Sequence, residues 1–318
     1  MELLEVKDLK VYYYSDAGLV KAVDDVGFTL GKKQTLGIVG ESGSGKSTLG
    51  FSIMRLVPAP GRIVGGSIFF DQENLLLKSE DEMRKIRGRR IGMVFQDPMT
   101  SLNPLMRIGD HLVETIMRHQ TATKEQAMKR AEALLERLGI SKTRIDDYPH
   151  QFSGGMRQRI MIGLALALNP DIVIADEPTT SLDVIVEAQI VELMRQLKRD
   201  FESSMVLITH NMGIVAELAD TVVVMYAGKM MEISDSVSLY ENPLHPYTKA
   251  LLRSIPNIRL TSQELTFIPG LPPDLINPPK GCRFQPRCKY AMPRCAEEEP
   301  PLIKLETTRR VACFLHGG

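Results

Sequence analysis

Residues 40–48 read GESGSGKST, with glycine, lysine and serine at the spacing G-x-x-x-x-G-K-[ST]. That pattern suits the binding of phosphate chains. Its glycines let backbone N–H groups curl around phosphate oxygens, Lys46 reaches the β and γ phosphates, and the Ser47 hydroxyl ligates Mg²⁺. The expected contacts along the loop are Gly40, Glu41, Ser42, Gly43, Ser44, Gly45, Lys46, Ser47 and Thr48. A second run, IVIADEP at 172–178, places Asp176 and Glu177 after four apolar residues, at the carboxyl end of an expected buried strand. Asp176 is expected to hold Mg²⁺ directly or through water, and Glu177 to orient and deprotonate an attacking water. An acidic pair after a strand is a weak signal alone and a strong one behind a phosphate loop.

These side chains need a scaffold, and the apolar runs supply one. TLGIVG (35–40), IGMVF (91–95), DIVIAD (171–176) and MVLIT (205–209) are continuous rather than alternating, as in parallel strands buried on both faces. Helical patterns over 124–138, 157–168 and 184–200 separate them, so the chain reads as α/β with a mostly parallel sheet. VVVMYAGKMMEI at 222–233 reads as a hairpin around Ala-Gly-Lys. From about 97 to 165 the strand signal gives way to helix, which places an inserted helical subdomain there. After about 240 prolines crowd the chain, and a pinned, irregular extension without regular helix is expected, with a Pro-punctuated helix packed on the domain as the alternative reading of 242–256.

FSGGMRQR at 152–159 sits between the two acidic and phosphate motifs, and here the chain resembles the ATP-binding-cassette (ABC) ATPases, whose signature motif this is similar to. Other elements fall in the order that the resemblance requires. Gln96 matches the Q-loop, Ser181, Leu182 and Asp183 the D-loop, His210 the switch histidine, and Tyr13 the aromatic that stacks on adenine. The resemblance implies a P-loop ABC ATPase fold: a RecA-like core with a parallel sheet, a small antiparallel β part and the helical subdomain, over residues 1–255. It also implies that Ser153, Gly154, Gly155 and Met156 face the γ-phosphate on an opposite subunit in a head-to-tail dimer. Gln96 would join Ser47 and Asp176 around Mg²⁺, and His210 would hold Glu177 and water against the γ-phosphate. Phe152 and Met156 depart from the commonest signature, which has Leu and Gln there; the serine and glycines remain.

NPLHPYTKALLRSIP (242–256), IPGLPPDLINPPKGCRFQPRC (268–288) and QDPMTSLNPLMRIGDHL (96–112) resemble the dipeptide/oligopeptide/nickel importer ATPases. That implies a peripheral subunit at the cytoplasmic face of a membrane. Two permease subunits, a second related ATPase or a second copy of this chain, and an external substrate-binding protein would be its partners. Peptide is expected, with nickel as the alternative; a non-transport ABC ATPase is disfavoured, since no long coiled coil and only one phosphate loop are found.

Composition sets the remaining bounds. Lys+Arg and Asp+Glu balance at 39 each, so no overall basic field argues for nucleic acid. The longest apolar stretch, IMIGLALAL at 160–168, is about half of a membrane span, and the first ten residues hold no signal core, so a cytosolic chain is expected. All four cysteines fall in the last 37 residues, spaced C-x5-C-x6-C-x17-C from Cys282 through Cys288 and Cys295 to Cys313. In the cytosol a disulfide framework is disfavoured, and four thiolates suit zinc or a [4Fe–4S] cluster. Arg283, Arg287, Lys289 and Arg294 intersperse them and would suit an anionic centre; the resemblance favours the cluster. His316 is read as a bystander, and the 256–318 extension as stapled by the metal site.

Overall fold

The computed structural model describes residues 2–97, 101–254 and 268–317. The chain divides into two compact units, one of Met1–Leu77 with Leu207–Gly318, the other Lys78–Val206.

In the first unit, the strand Thr35–Val39 is buried at every position, as its unbroken apolar run requires. It pairs in parallel with Thr221–Tyr226, with Leu36 opposite Thr221 and Val39 opposite Val224. Thr221–Tyr226 then turns back antiparallel into Lys229–Asp235 through Ala227 and Gly228, at φ 49° and 82°. Two successive positive φ values make the tight turn whose twist matches its strands, and the hairpin expected at 222–233 forms on it. The chain's last residues add Arg310–Val311 alongside Lys229–Asp235, and Ile303–Lys304 beyond it.

A four-stranded antiparallel sheet completes this unit, in the order Gly18–Gly31, Glu2–Ser15, Gly61–Phe70, Glu73–Asn74. It is the small antiparallel part implied by the resemblance, and it buries Val6, Leu9, Val11, Val23 and Phe28. The expectation that residues after about 240 form no regular helix is corrected. Pro246–Arg253 is helical because its proline occupies the first turn, where the missing N–H is not needed. His245 caps it, its Nδ1 accepting from the Tyr247 N–H at 3.0 Å. The boundary expected at 255/256 lies outside the described residues, as do 98–100 of the 96–112 segment and 255–256 of the 242–256 segment.

The second unit pairs Ile91–Val94 in parallel with Ile172–Asp176, Ile91 opposite Ile172 and Val94 opposite Ala175. Between residues 101 and 171 its described part holds helices and turns. Lys124–Arg137 begins with a capping box, Thr123 and Gln126 each closing the other's backbone N–H. Ile108–His119 meets it through buried Leu112, Ile116, Ala127, Ala131 and Leu135. The helices Gly154–Leu166 and Val184–Phe201 follow, and Ser204–Thr209 carries the chain back to the first unit.

Candidate functional site

In the first unit the strand Thr35–Val39 delivers the phosphate loop to the start of helix Lys46–Ile53. Gly45 caps that helix at φ 98°, with no side chain closing its first N–H groups. A Cβ on Gly45 would stand 2.0 Å from the Ala22 carbonyl oxygen, so the left-handed turn and the close approach both require glycine. A loop that runs into a helix start in this way turns backbone N–H groups and the positive end of the helix dipole to one side, the combination that holds phosphate. Lys46 is buried, its ammonium folded onto the Gly40 and Glu41 carbonyls at 2.8 and 2.9 Å and 3.5 Å from Ser44 Oγ. Tyr13 is half-buried on the strand Glu2–Ser15, its hydroxyl 3.3 Å from Thr48 Oγ1, which brings it to this loop. His210 is exposed just past Ser204–Thr209.

The second unit holds the other motifs. Asp176 ends its strand almost wholly out of solvent, and Glu177 follows at φ 48°, a left-handed conformation that is unfavourable for a side chain of this size and that clusters at functional sites. Thr180 braces it, its hydroxyl donating to Glu177 Oε2 at 3.0 Å. Gln96 is exposed two residues beyond Ile91–Val94. The signature and D-loop come together: Gly155 faces Val186 so closely that a Cβ would lie 2.4 Å from its Cγ1, and Leu182 lies 3.9 Å from where a Gly154 Cβ would be. Ser153 caps the signature helix, accepting from the Met156 N–H at 3.4 Å, and Asp183 caps Val184–Phe201 from Val186 at 2.9 Å. The two departures from the commonest signature share one partner. The Arg144 guanidinium stacks 4.1 Å above the Phe152 ring and donates to Met156 Sδ at 3.5 Å.

Cys282, Cys288, Cys295 and Cys313, all free thiols, line one cavity of about 20 Å³ in the first unit, with His245, Phe284 and Phe314 among its walls. Burial pushes the Cys282 thiol up to about 11 and raises Cys288 and Cys313 as well. Among the described residues no three potential ligands stand close enough to hold an ion as they are, yet the convergence of four thiols is the donor set of a zinc or iron–sulfur centre. His316 turns away to the Leu244 carbonyl at 3.1 Å.

Three of the four basic residues between the cysteines have partners other than the thiols. Arg283 bonds Asp24 and the Ala227 carbonyl, Arg294 pairs with Glu298 at 2.8 Å, and Arg287 grips Glu41 in the phosphate loop at 2.6 and 3.0 Å. Sequence reading missed this use of Arg287. The available signal was Glu41 itself, since an acidic side chain within an anion-binding loop calls for a cation nearby.

Residues 23–180 match the family described as ABC transporter, and residues 231–295 match the oligopeptide/dipeptide transporter C-terminal region. The oligopeptide transport ATP-binding protein OppD of Bacillus subtilis is 50% identical over 317 residues, covering 98% of this chain and 88% of its own. OppD of Escherichia coli is 47% identical over 98% of this chain and 93% of its own. The dipeptide transport ATP-binding protein DppD of Lactococcus lactis is 49% identical over 99% and 91%. Among solved structures, a dimeric bacterial ABC transporter cassette superposes with a TM-score of 0.66 at 27% identity, covering 73% of this chain and 98% of that one. A post-hydrolysis dimer of an ATP-binding cassette bound to ADP and phosphate superposes at 0.65 with 26% identity, covering 73% and 98%.

Proposed function

The chain belongs to the ABC transporter ATPases, and from that premise we propose that it binds and hydrolyses ATP to drive a membrane importer of oligopeptides or dipeptides. The observation that carries the reading is one of extent. Relatives named for oligopeptide and dipeptide transport match nearly the whole chain, from the phosphate loop through the cysteine-bearing segment. No helix among the described residues is long and apolar enough to cross a membrane. In this reading permease partners pass the substrate, and the subunit acts at their cytoplasmic face.

In this reading Lys46 and the backbone N–H groups after Gly45 neutralise the β and γ phosphates, and Tyr13 stacks on adenine. Ser47, Asp176 and Gln96 would hold Mg²⁺, which when bound would supply positive charge against the phosphates. Glu177 takes the proton of the attacking water, with His210 fixing both against the γ-phosphate. Ser153, Gly154, Gly155 and Met156 serve the nucleotide of an opposite subunit, aided by the D-loop Ser181–Asp183, so that ATP closes a dimer and hydrolysis releases it. Membrane vesicles carrying the assembled importer test the function. ATP-driven uptake of di- or oligopeptides is expected; uptake of nickel ions alone would overturn the peptide reading. Co-purification with two permeases is expected, and a second, related ATPase would make the pair a heterodimer.

The same reading assigns Cys282, Cys288, Cys295 and Cys313 to a [4Fe–4S] cluster that staples the C-terminal segment. A zinc ion is the second candidate, favoured by a cavity of about 20 Å³, room for a single atom-sized occupant. A brown anaerobic preparation with about four irons per chain is expected. Colourless protein with one zinc would decide for zinc.

A further inference from the structure

Arg287 precedes Cys288 in the chain, yet its side chain, 4% exposed, points to the phosphate loop. Its guanidinium forks onto both Glu41 carboxylate oxygens and is fixed by the Pro269 and Ile268 carbonyls at 2.9 and 3.2 Å and by the Tyr226 hydroxyl at 3.2 Å. Such two-point grips hold a carboxylate in orientation as well as in place. Glu41 is pinned at every polar atom. Its N–H donates to the Tyr247 hydroxyl at 2.9 Å, and its carbonyl accepts from Lys46 Nζ at 2.9 Å and the Ser44 N–H at 3.2 Å.

Both arginines of the C-x5-C loop converge on the same target. Tyr226 and Tyr247 pack 4.6 Å apart, each 5.3 Å from Phe284, and Phe284 is a wall of the thiol cavity. On the other flank Arg283 holds the Ala227 carbonyl, and the next residue, Gly228, donates its N–H to the Ser44 carbonyl at 3.0 Å. The segment between Cys282 and Cys288 therefore reaches the phosphate loop at Glu41 directly and at Ser44 through one turn. Glu41 also poses an electrostatic problem, because a carboxylate one residue into a polyphosphate-binding loop repels the ligand unless a cation neutralises it.

We propose that Arg287 is a positioning residue for nucleotide binding, which neutralises and orients Glu41 in the phosphate loop and is itself placed by the gathering of the four cysteines. The inference rests on the reading that this loop binds ATP. It adds that the cysteine site sets ATP affinity, beyond stapling the chain end.

The test titrates the purified full chain with a fluorescent ATP analogue. Arg287→Ala is expected to weaken affinity at least about tenfold, with turnover at saturating ATP little changed, so that KM moves and kcat does not. Glu41→Gln added to Arg287→Ala is expected to restore part of that affinity by removing the unneutralised charge, which a merely structural role would not do. Cys288→Ser is expected to weaken binding in the same direction, and Arg287→Ala/Cys288→Ser no further than Arg287→Ala alone. Should Arg287→Ala fail to fold, Arg287→Lys keeps the charge without the fork and is expected to give an intermediate loss. Affinity equal to the unaltered chain in whichever of the two folds, or additive losses in the double variant, would overturn the proposal. An unaltered chain that binds no ATP would overturn the earlier reading along with it.

Discussion

Two helices in this chain begin at glycine-bearing motifs, and they begin differently. Lys46–Ile53 starts from Gly45 in a left-handed conformation with no side chain over its first N–H groups. Gly154–Leu166 starts from Ser153 in an extended conformation, with the serine hydroxyl already accepting from the Met156 N–H. The first has no side-chain cap from its N-cap residue, the arrangement seen where helix starts take phosphate. The second is closed by a rotatable, exposed hydroxyl that must exchange an internal hydrogen bond for an external one. The two helix starts thus differ in their caps as well as in their glycines.

Silencing the chemistry while leaving both helix starts intact gives the largest effect. Glu177→Gln should lower turnover by about 10²–10⁴, the range of a general base, while ATP stays bound and holds two copies together in gel filtration. A Glu177→Gln chain that remains monomeric in ATP would break the idea that the second helix start faces a partner's nucleotide. Next comes the open start: Gly45→Ala sets a side chain at φ 98° against the Ala22 carbonyl, and nucleotide affinity should fall by roughly 100-fold, read by titration. The closed start should respond less. Ser153→Ala removes a cap worth about 1 kcal/mol, and it should weaken ATP-driven dimerisation in the Glu177→Gln background while leaving nucleotide affinity of the single chain unchanged. Smallest is Gly154→Ala, whose Cβ would meet nothing nearer than Leu182 at 3.9 Å; the melting temperature should hold or rise slightly, because alanine favours helix. A large loss of stability there would mean that the first turn of the signature helix is tighter than its neighbours indicate.

The phosphate loop was legible because its chemistry is compressed into nine contiguous residues with a buried strand before and a helix after. The strands over 35–39, 91–94, 172–176 and 204–209 were legible for a related reason, since burial on both faces leaves an unbroken apolar run. The long N-terminal strands were not singled out. Register shifts between Val6 and Leu9 and between Val11 and Tyr12 interrupt the alternation that would announce them. Helix Pro246–Arg253 goes against the reading of proline as a breaker along this stretch and fits the alternative of a Pro-punctuated helix over 242–256, because its proline starts it. The Glu41–Arg287 pair joins residues 246 positions apart, and the Asp24–Arg283 pair joins residues 259 apart. No local pattern links such partners, and the basic residues among the cysteines invited a nearer explanation.

Arg310–Val311 has a consequence of a different order. Without it, Lys229–Asp235 would end the sheet of the first unit with a row of unpaired backbone N–H and carbonyl groups, and such an edge recruits strands from other molecules. Arg310–Val311 covers part of that edge at Glu232 and Ile233, and Ile303–Lys304 pairs beyond it. Truncation before residue 303 would therefore uncover this edge and lower solubility, in addition to removing Cys313 from the thiol cavity.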